Sequence, residues 1–234
     1  MDILHAIHGR QSIRAFDRKR EVSRGTIARI VEAGARAPNG SNIQPWKVYV
    51  LTDSARDKFC EEITKAYLSG ATEEREFAYY MDTWREPYLT RRRQTGWGLY
   101  STVGIQKGDR EGTQRQQARN YQFFDAPVGL MITMDTDMGQ GAWLDLGAFI
   151  QTLLLAARGE GLEACPQAAF CNYPHRIREM LGISPNETLV TGMAIGHPLA
   201  EAKVNTYRTP RRPVAEYTTF ISDLEQHRVV VAAE

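Results

Sequence analysis

The chain has 234 residues, 42% of them hydrophobic and 24% charged, with a formal net charge of +1. That balance is ordinary for a folded protein of one large or two small domains, and it gives no global pull toward nucleic acid or an anionic membrane. Three cysteines, Cys60, Cys165 and Cys171, are odd in number and lack framework or CxxC spacing. They argue against a disulfide scaffold or a zinc set and for a reducing compartment.

In chain order, the opening MDILHAIHGR lacks the basic start and long apolar run of a signal peptide, so a cytoplasmic location is expected. Ile3, Leu4 and Ile7 predict a short helix ending near Gly9; His5 and His8 read as its surface rather than as metal ligands. Ser23 is a candidate N-cap for a second helix with Ile27, Ile30 and Val31 on one face, stopped by Pro38. Trp46 to Thr52 alternates and reads as a strand, after which Asp53 or Ser54 is expected to cap a third helix.

From about Gly70 the character changes. Residues 70–125 are polar and aromatic, and are expected to form helical pieces and loops serving as a cover. Ala126 to Met134 is a second strand. Gly141 to Arg158 is a long buried helix, too interrupted by Asp145 and Gln151 to span a membrane. Pro174 suits the first turn of a helix through Leu181, and Glu187 to Ile195 is a third strand. Residues 198–234 read as an extended arm carrying one last strand, Tyr217 to Ile221, whose simplest partner is a sheet edge on another subunit. Strands alternating with helices predict an α+β class, with a mixed central sheet flanked by helices in a single domain.

Three segments exceed structural need. Arg10-Gln11-Ser12-Ile13-Arg14 puts two guanidinium groups and a hydroxyl within five residues, a set that can grip phosphate; alone it is an ordinary basic turn. Ala37 to Trp46 (APNGSNIQPW) is a rigid loop exposing amides able to hold a polar heterocycle or ribityl chain. Asn205 to Pro213 (NTYRTPRRP) is extended and basic, able to bring an arginine to the same phosphate. The arginine trio 91–93 is read first as a solvated helix face and second as an attractor for an aromatic carboxylate.

Together, RQSIRAF, APNGSNIQPW, GLEACPQAAF and the late Arg211-Arg212-Pro213 resemble the motifs of the FMN-dependent nitroreductase family, in order from residue 2 to about 221. The 79–125 segment is similar to that of its nitrobenzoate-reducing subgroup. The resemblance implies a three-layer fold, a homodimer with FMN at the subunit interface and an exchanged C-terminal extension. It further implies NAD(P)H as reductant and a small aromatic substrate, with no nucleic-acid, membrane or metal partner.

Carried over by residue, the resemblance assigns Arg10, Ser12 and Arg211, with Arg208 in reserve, to the phosphate. Gln11 and Arg14 go to the ribityl or pyrimidine side, and Pro38, Asn39, Gly40 and Asn42 come from the partner. Pro166, Gln167, Ala168 and Ala169 line the ring near N5. Ala168-Ala169 departs from the Glu-Gly of some members and removes a carboxylate contact. Tyr80, Trp84, Tyr100 and Phe124 are the expected substrate contacts. No catalytic side chain is implied, because the redox chemistry belongs to the flavin. The alternatives are a dehalogenase or other flavin reductase of the same fold and, in another class, a flavin-binding protein without turnover.

Overall fold

In the computed structural model, which describes residues 2–222, two central strands are covered on both faces and two flanking strands form the edges. The elements are α1 (Ile3–Gly9), α2 (Arg24–Gly34), β1 (Lys47–Leu51), α3 (Asp53–Leu68), α4 (Tyr88–Thr102), α5 (Arg110–Ala118), β2 (Val128–Asp135), α6 (Gln140–Gly159), β3 (Glu163–Gln167), α7 (Pro174–Leu181) and β4 (Glu187–Gly196). The sheet order is β1-β2-β4-β3. β4 is buried along its whole length and β2 along all but its last residue, as expected of strands sandwiched between helices.

The core divides at the sheet. One side packs Phe59 and Ile63 of α3, Ile177 of α7 and Phe123 and Phe170 from two short 3-10 turns against Met131 and Ala194. The other packs Ile27 and Ile30 of α2 and Leu146, Phe149 and Leu153 of α6 against Leu130, Ile132, Met193 and Ile195. Alternation along β2 sends successive side chains to opposite layers, and in β4 a bulge at Val190 resets it, so that Val190 and Met193 face one layer and Leu189 and Ala194 the other. Gly192 is glycine for contact reasons: a Cβ there would lie 2.3 Å from the Phe170 ring.

Several expectations change. Among the described strands every pairing is antiparallel, so the sheet is not mixed. β3 was not expected from the sequence, because a five-residue EACPQ run carrying a proline gives little strand signal. Its edge position accommodates the missing N–H of Pro166. α3 starts at Asp53 with Thr52 as its N-cap, and no side chain bonds the cap. Tyr217 to Ile221 forms no strand with this chain; a 3-10 turn at Val214–Glu216 precedes it. The remainder of the 198–234 arm, from residue 223, lies outside the described residues. No helix among the described residues is long and apolar enough to cross a membrane.

Candidate functional site

Helix α1 stops at Gly9, and the chain turns extended at Arg10. Residues 10–14 then run beside the arm, held there chiefly by Asn205. The Asn205 side-chain oxygen accepts from the Arg14 N–H at 2.8 Å, and its amide donates to the Ala15 carbonyl at 2.8 Å and the Leu199 carbonyl at 3.1 Å. Its backbone carbonyl accepts from Gln11 Nε2 at 2.9 Å. Arg208 donates to the Gly9 carbonyl at 3.1 Å, closing the same clasp. Asn205 appeared in the sequence only as the start of a basic tail. Its role depends on a contact across 190 residues, which local pattern cannot reveal.

The clasp encloses a cleft of about 620 Å³ lined by Arg10, Gln11, Ser12, Arg14, Arg208 and Arg211, among others. Four arginines and four hydroxyl-bearing residues, Ser12 among them, line it, with no carboxylate in the lining. Arg10 shows the strain of this arrangement: burial first, and Arg211 second, push its pKa below the ordinary arginine value. A dianion placed here would relieve both effects. Below it, Arg158 pairs with Glu163, whose pKa is raised chiefly by burial and opposed by Arg158.

β3 leads from this cleft to a second one. Glu163 lies beneath Arg10, and Cys165 is buried beside Ser12 and Arg14 with its thiol pushed toward the neutral form by burial. Pro166 to Ala169 then line a hollow of about 400 Å³ with Tyr80, Tyr100 and Arg75. Gln167 is buried; its amide donates to the Asn120 carbonyl at 2.7 Å, while its side-chain oxygen has no protein partner. The Gln11 side-chain oxygen is likewise buried and unpartnered. Two orphaned acceptors, one in each cleft, suit a ligand that brings hydroxyl or N–H donors.

The cover over this hollow is held at few points. Tyr207 donates to the Gln94 carbonyl at 3.3 Å beside Gly98, where a Cβ would stand 2.4 Å from the Tyr207 ring. Tyr67 bonds Gln117 at 2.9 Å. Tyr79, Tyr80 and Trp84 form an aromatic chain, with Tyr79–Tyr80 centroids 4.8 Å and Tyr80–Trp84 centroids 5.3 Å apart.

The expected site residues therefore separate into groups. Arg10, Gln11, Ser12, Arg14, Arg208 and Arg211 share the first cleft, and Pro166, Gln167, Ala168, Ala169, Tyr80 and Tyr100 share the second. Trp84 is half-buried in the cover, tilted against Tyr80 and under Arg92, and does not line the second cleft. Phe124 is a correction: it is 2% exposed, packed in the core under β2. Its positive φ of 53° turns it inward alongside Phe123, and nothing in an F-F pair distinguishes core from wall. Pro38, Asn39, Gly40 and Asn42 line neither cleft. Their loop sits at α6, where the Gly40 N–H donates to Asp145 at 3.2 Å, and Asn39 accepts from the Gln44 N–H at 2.9 Å. The arginine trio points elsewhere: Arg92 lies over Trp84 at 4.6 Å and Arg91 over Tyr88 at 5.5 Å.

Comparison with known proteins agrees with this geometry. Residues 7–197 match the model of the nitroreductase family. A 4-nitrobenzoate reductase of Nocardioides sp. (strain LMS-CY) is 38% identical over 220 residues, covering 93% of this chain and 89% of that one. The crystal structure of the FMN and NADPH-dependent nitroreductase NfnB from a Sphingopyxis strain superposes with TM-score 0.90 at 33% identity, covering 95% of this chain and all of that one. The FMN-dependent NfnB of Mycobacterium smegmatis, solved with NADPH, gives 0.88 at 31% identity, covering 93% of this chain and 97% of that one.

Proposed function

The chain belongs to the nitroreductase family, and from that premise we propose that it is an FMN-dependent NAD(P)H oxidoreductase reducing nitroaromatic compounds. The observation that carries the reading is the convergence of Arg10, Ser12, Arg14, Arg208 and Arg211 in one carboxylate-free cleft, joined by β3 to an aromatic one. The donor set fits FMN: the arginines and Ser12 take the phosphate, Gln11 and Arg14 the ribityl or pyrimidine side, and Pro166 to Ala169 the ring. Bound there, FMN would supply two-electron chemistry, taking hydride from NAD(P)H and delivering it to a nitro group.

The chain's own residues do the rest. Guanidinium forks neutralise the phosphate and fix the ligand's long axis. Arg14 places positive charge where reduction builds negative charge. The tyrosines offer flat walls to a flat substrate. Tyr79 and Tyr121 line the aromatic cleft and can donate their hydroxyl protons to nitro oxygens, whereas the Tyr67 hydroxyl already donates to Gln117 at 2.9 Å.

The second half of the reading is a homodimer. Support comes from Leu144 of α6 at 79% exposure and Phe220 of the arm at 85%, which leave large apolar side chains in water. β1 is an edge strand beside a groove lined by Val22, Ile27, Val31 and Val50, a seat suited to a partner's arm. The same association would bring Pro38, Asn39, Gly40 and Asn42 to the partner's cofactor. Light scattering is expected to give twice the single-chain mass; the single-chain mass would refute the exchange.

The function is tested by the absorbance of the purified protein before and after anaerobic NADPH. Flavin absorption near ~450 nm that bleaches on addition is expected. A protein that neither carries nor takes up FMN would overturn the reading, and bound flavin that stays oxidised would favour a carrier.

A further inference from the structure

We propose that Arg75 is the carboxylate anchor of the aromatic cleft, making the preferred substrate a flat aromatic acid rather than an uncharged ring. The inference rests on the nitroreductase reading above and names the substrate class of the same site.

The stretch Glu73-Glu74-Arg75-Glu76 enters the cover with its charges sorted. Glu73 turns onto α7, where it pairs with Arg176 at 3.0 Å and accepts the His175 N–H at 2.8 Å. Glu76 turns onto β4, pairing with Arg178 and accepting the Leu189 N–H at 2.7 Å. These two pins, one before and one after, leave Arg75 facing the hollow of Tyr80, Tyr100 and Pro166 to Ala169.

Arg75 is the only charged residue in that lining. Its guanidinium is held by a neutral group: Nε donates to the Asn172 side-chain oxygen at 2.8 Å, and a second nitrogen donates to the same atom. Asn172 is itself oriented, because its amide donates to the Tyr121 hydroxyl at 3.0 Å. Among the described residues no carboxylate pairs with Arg75. The fork is thus positioned by an amide while its charge stays uncompensated, at the edge of a cleft walled by phenols. An aromatic ring stacked among those phenols and bearing a carboxylate completes the charge, which a neutral ring does not. The trio Arg91 to Arg93, the other candidate, has two members occupied by the faces of Trp84 and Tyr88 on the cover.

The test compares 4-nitrobenzoate with its methyl ester on the FMN-loaded protein, and separately measures benzoate and benzamide binding by calorimetry. In Arg75→Gln the ratio of kcat/KM for acid over ester is expected to fall about tenfold, mostly through KM, with Arg75→Lys intermediate. An unchanged ratio overturns the proposal. So does an equal fall for both substrates, which would make Arg75 a prop for Asn172 and Tyr121. A loss of acid preference in a variant lacking Arg91 to Arg93, with Arg75→Gln silent, assigns the anchor to the trio instead. If the protein reduces neither nitro compound, the functional reading fails by itself and calorimetry decides this one. Benzoate preferred over benzamide, with the preference abolished by Arg75→Gln, sustains the anchor, and equal binding overturns it.

Discussion

The arginine cleft lies near the start of β3 and the aromatic cleft is lined by its end, and the two are built in opposite ways. The first is clasped by hydrogen bonds to backbone: Asn205 alone makes four, tying residues 11–15 and Leu199 to the arm. The second is walled by side chains from a cover whose helix α4 has no buried residue in fifteen. A backbone clasp fixes charge in one geometry, as a constant phosphate requires. A lightly packed aromatic cover can change its wall without disturbing the core, as a variable substrate requires. The comparison assigns cofactor retention to one region and substrate choice to the other, and separate perturbations should separate them.

The largest effect is expected from Arg10→Ala combined with Arg211→Ala. Losing two charge-assisted contacts, each worth about 1.5–3 kcal/mol, should weaken FMN binding by at least about 100-fold. A fluorescence-quenching titration measures it, and unchanged affinity would break the assignment of the cleft. Next is Asn205→Ala, which strips the partner from the Arg14 N–H and two carbonyls. It should cost about 2–3 kcal/mol of stability, read from denaturant unfolding, and lower FMN affinity although Asn205 is not expected to touch the cofactor.

These two predictions also mark how far the sequence reaches. The arginines were legible because Arg10, Ser12 and Arg14 are close in sequence and their chemistry is that of a phosphate grip. Asn205 was not, because its partners at Gln11, Arg14 and Ala15 lie 190 and more residues away. Helices α1, α2, α6 and α7 were readable from caps, prolines and apolar spacing; Pro174 at the start of α7 is the plainest case. The all-antiparallel sheet was not readable, since strand direction depends on how each connection crosses the sheet. Phe124 was misplaced because an aromatic residue suits core and wall equally, and only its backbone turn decides which. The strand expected at Tyr217 to Ile221 has β-favouring residue types but pairs with no strand among the described residues.

A smaller effect sharpens the comparison from the other side. Tyr80→Ala with Tyr100→Ala should raise KM for nitrobenzoate about tenfold, from lost stacking worth about 0.5–1.5 kcal/mol per pair, while FMN affinity holds. A matching loss of FMN would mean the two clefts are one functional unit.

A last effect is confined to alkaline pH. Burial pushes the Cys171 thiol from 9.0 up to about 12 and the Tyr121 hydroxyl from 10.0 up to about 12. Both sit under the aromatic cleft. A raised pKa in the folded state contributes stability that is complete below the unfolded value and lost as pH rises toward the folded one. Thermal unfolding should therefore occur at steadily lower temperature from about pH 9 to about pH 12, and Cys171→Ala should flatten part of that slope. A stability curve level across that range would contradict it.

The most direct test of the whole account is an anaerobic titration of 4-nitrobenzoate into the NADPH-reduced protein. The account predicts that flavin absorption near ~450 nm returns as the nitro compound is consumed. With excess NADPH, two reductant molecules should be oxidised for each hydroxylamine and each water formed. Reduced flavin that persists in the presence of 4-nitrobenzoate, yet is promptly reoxidised by a halogenated phenol, would contradict it.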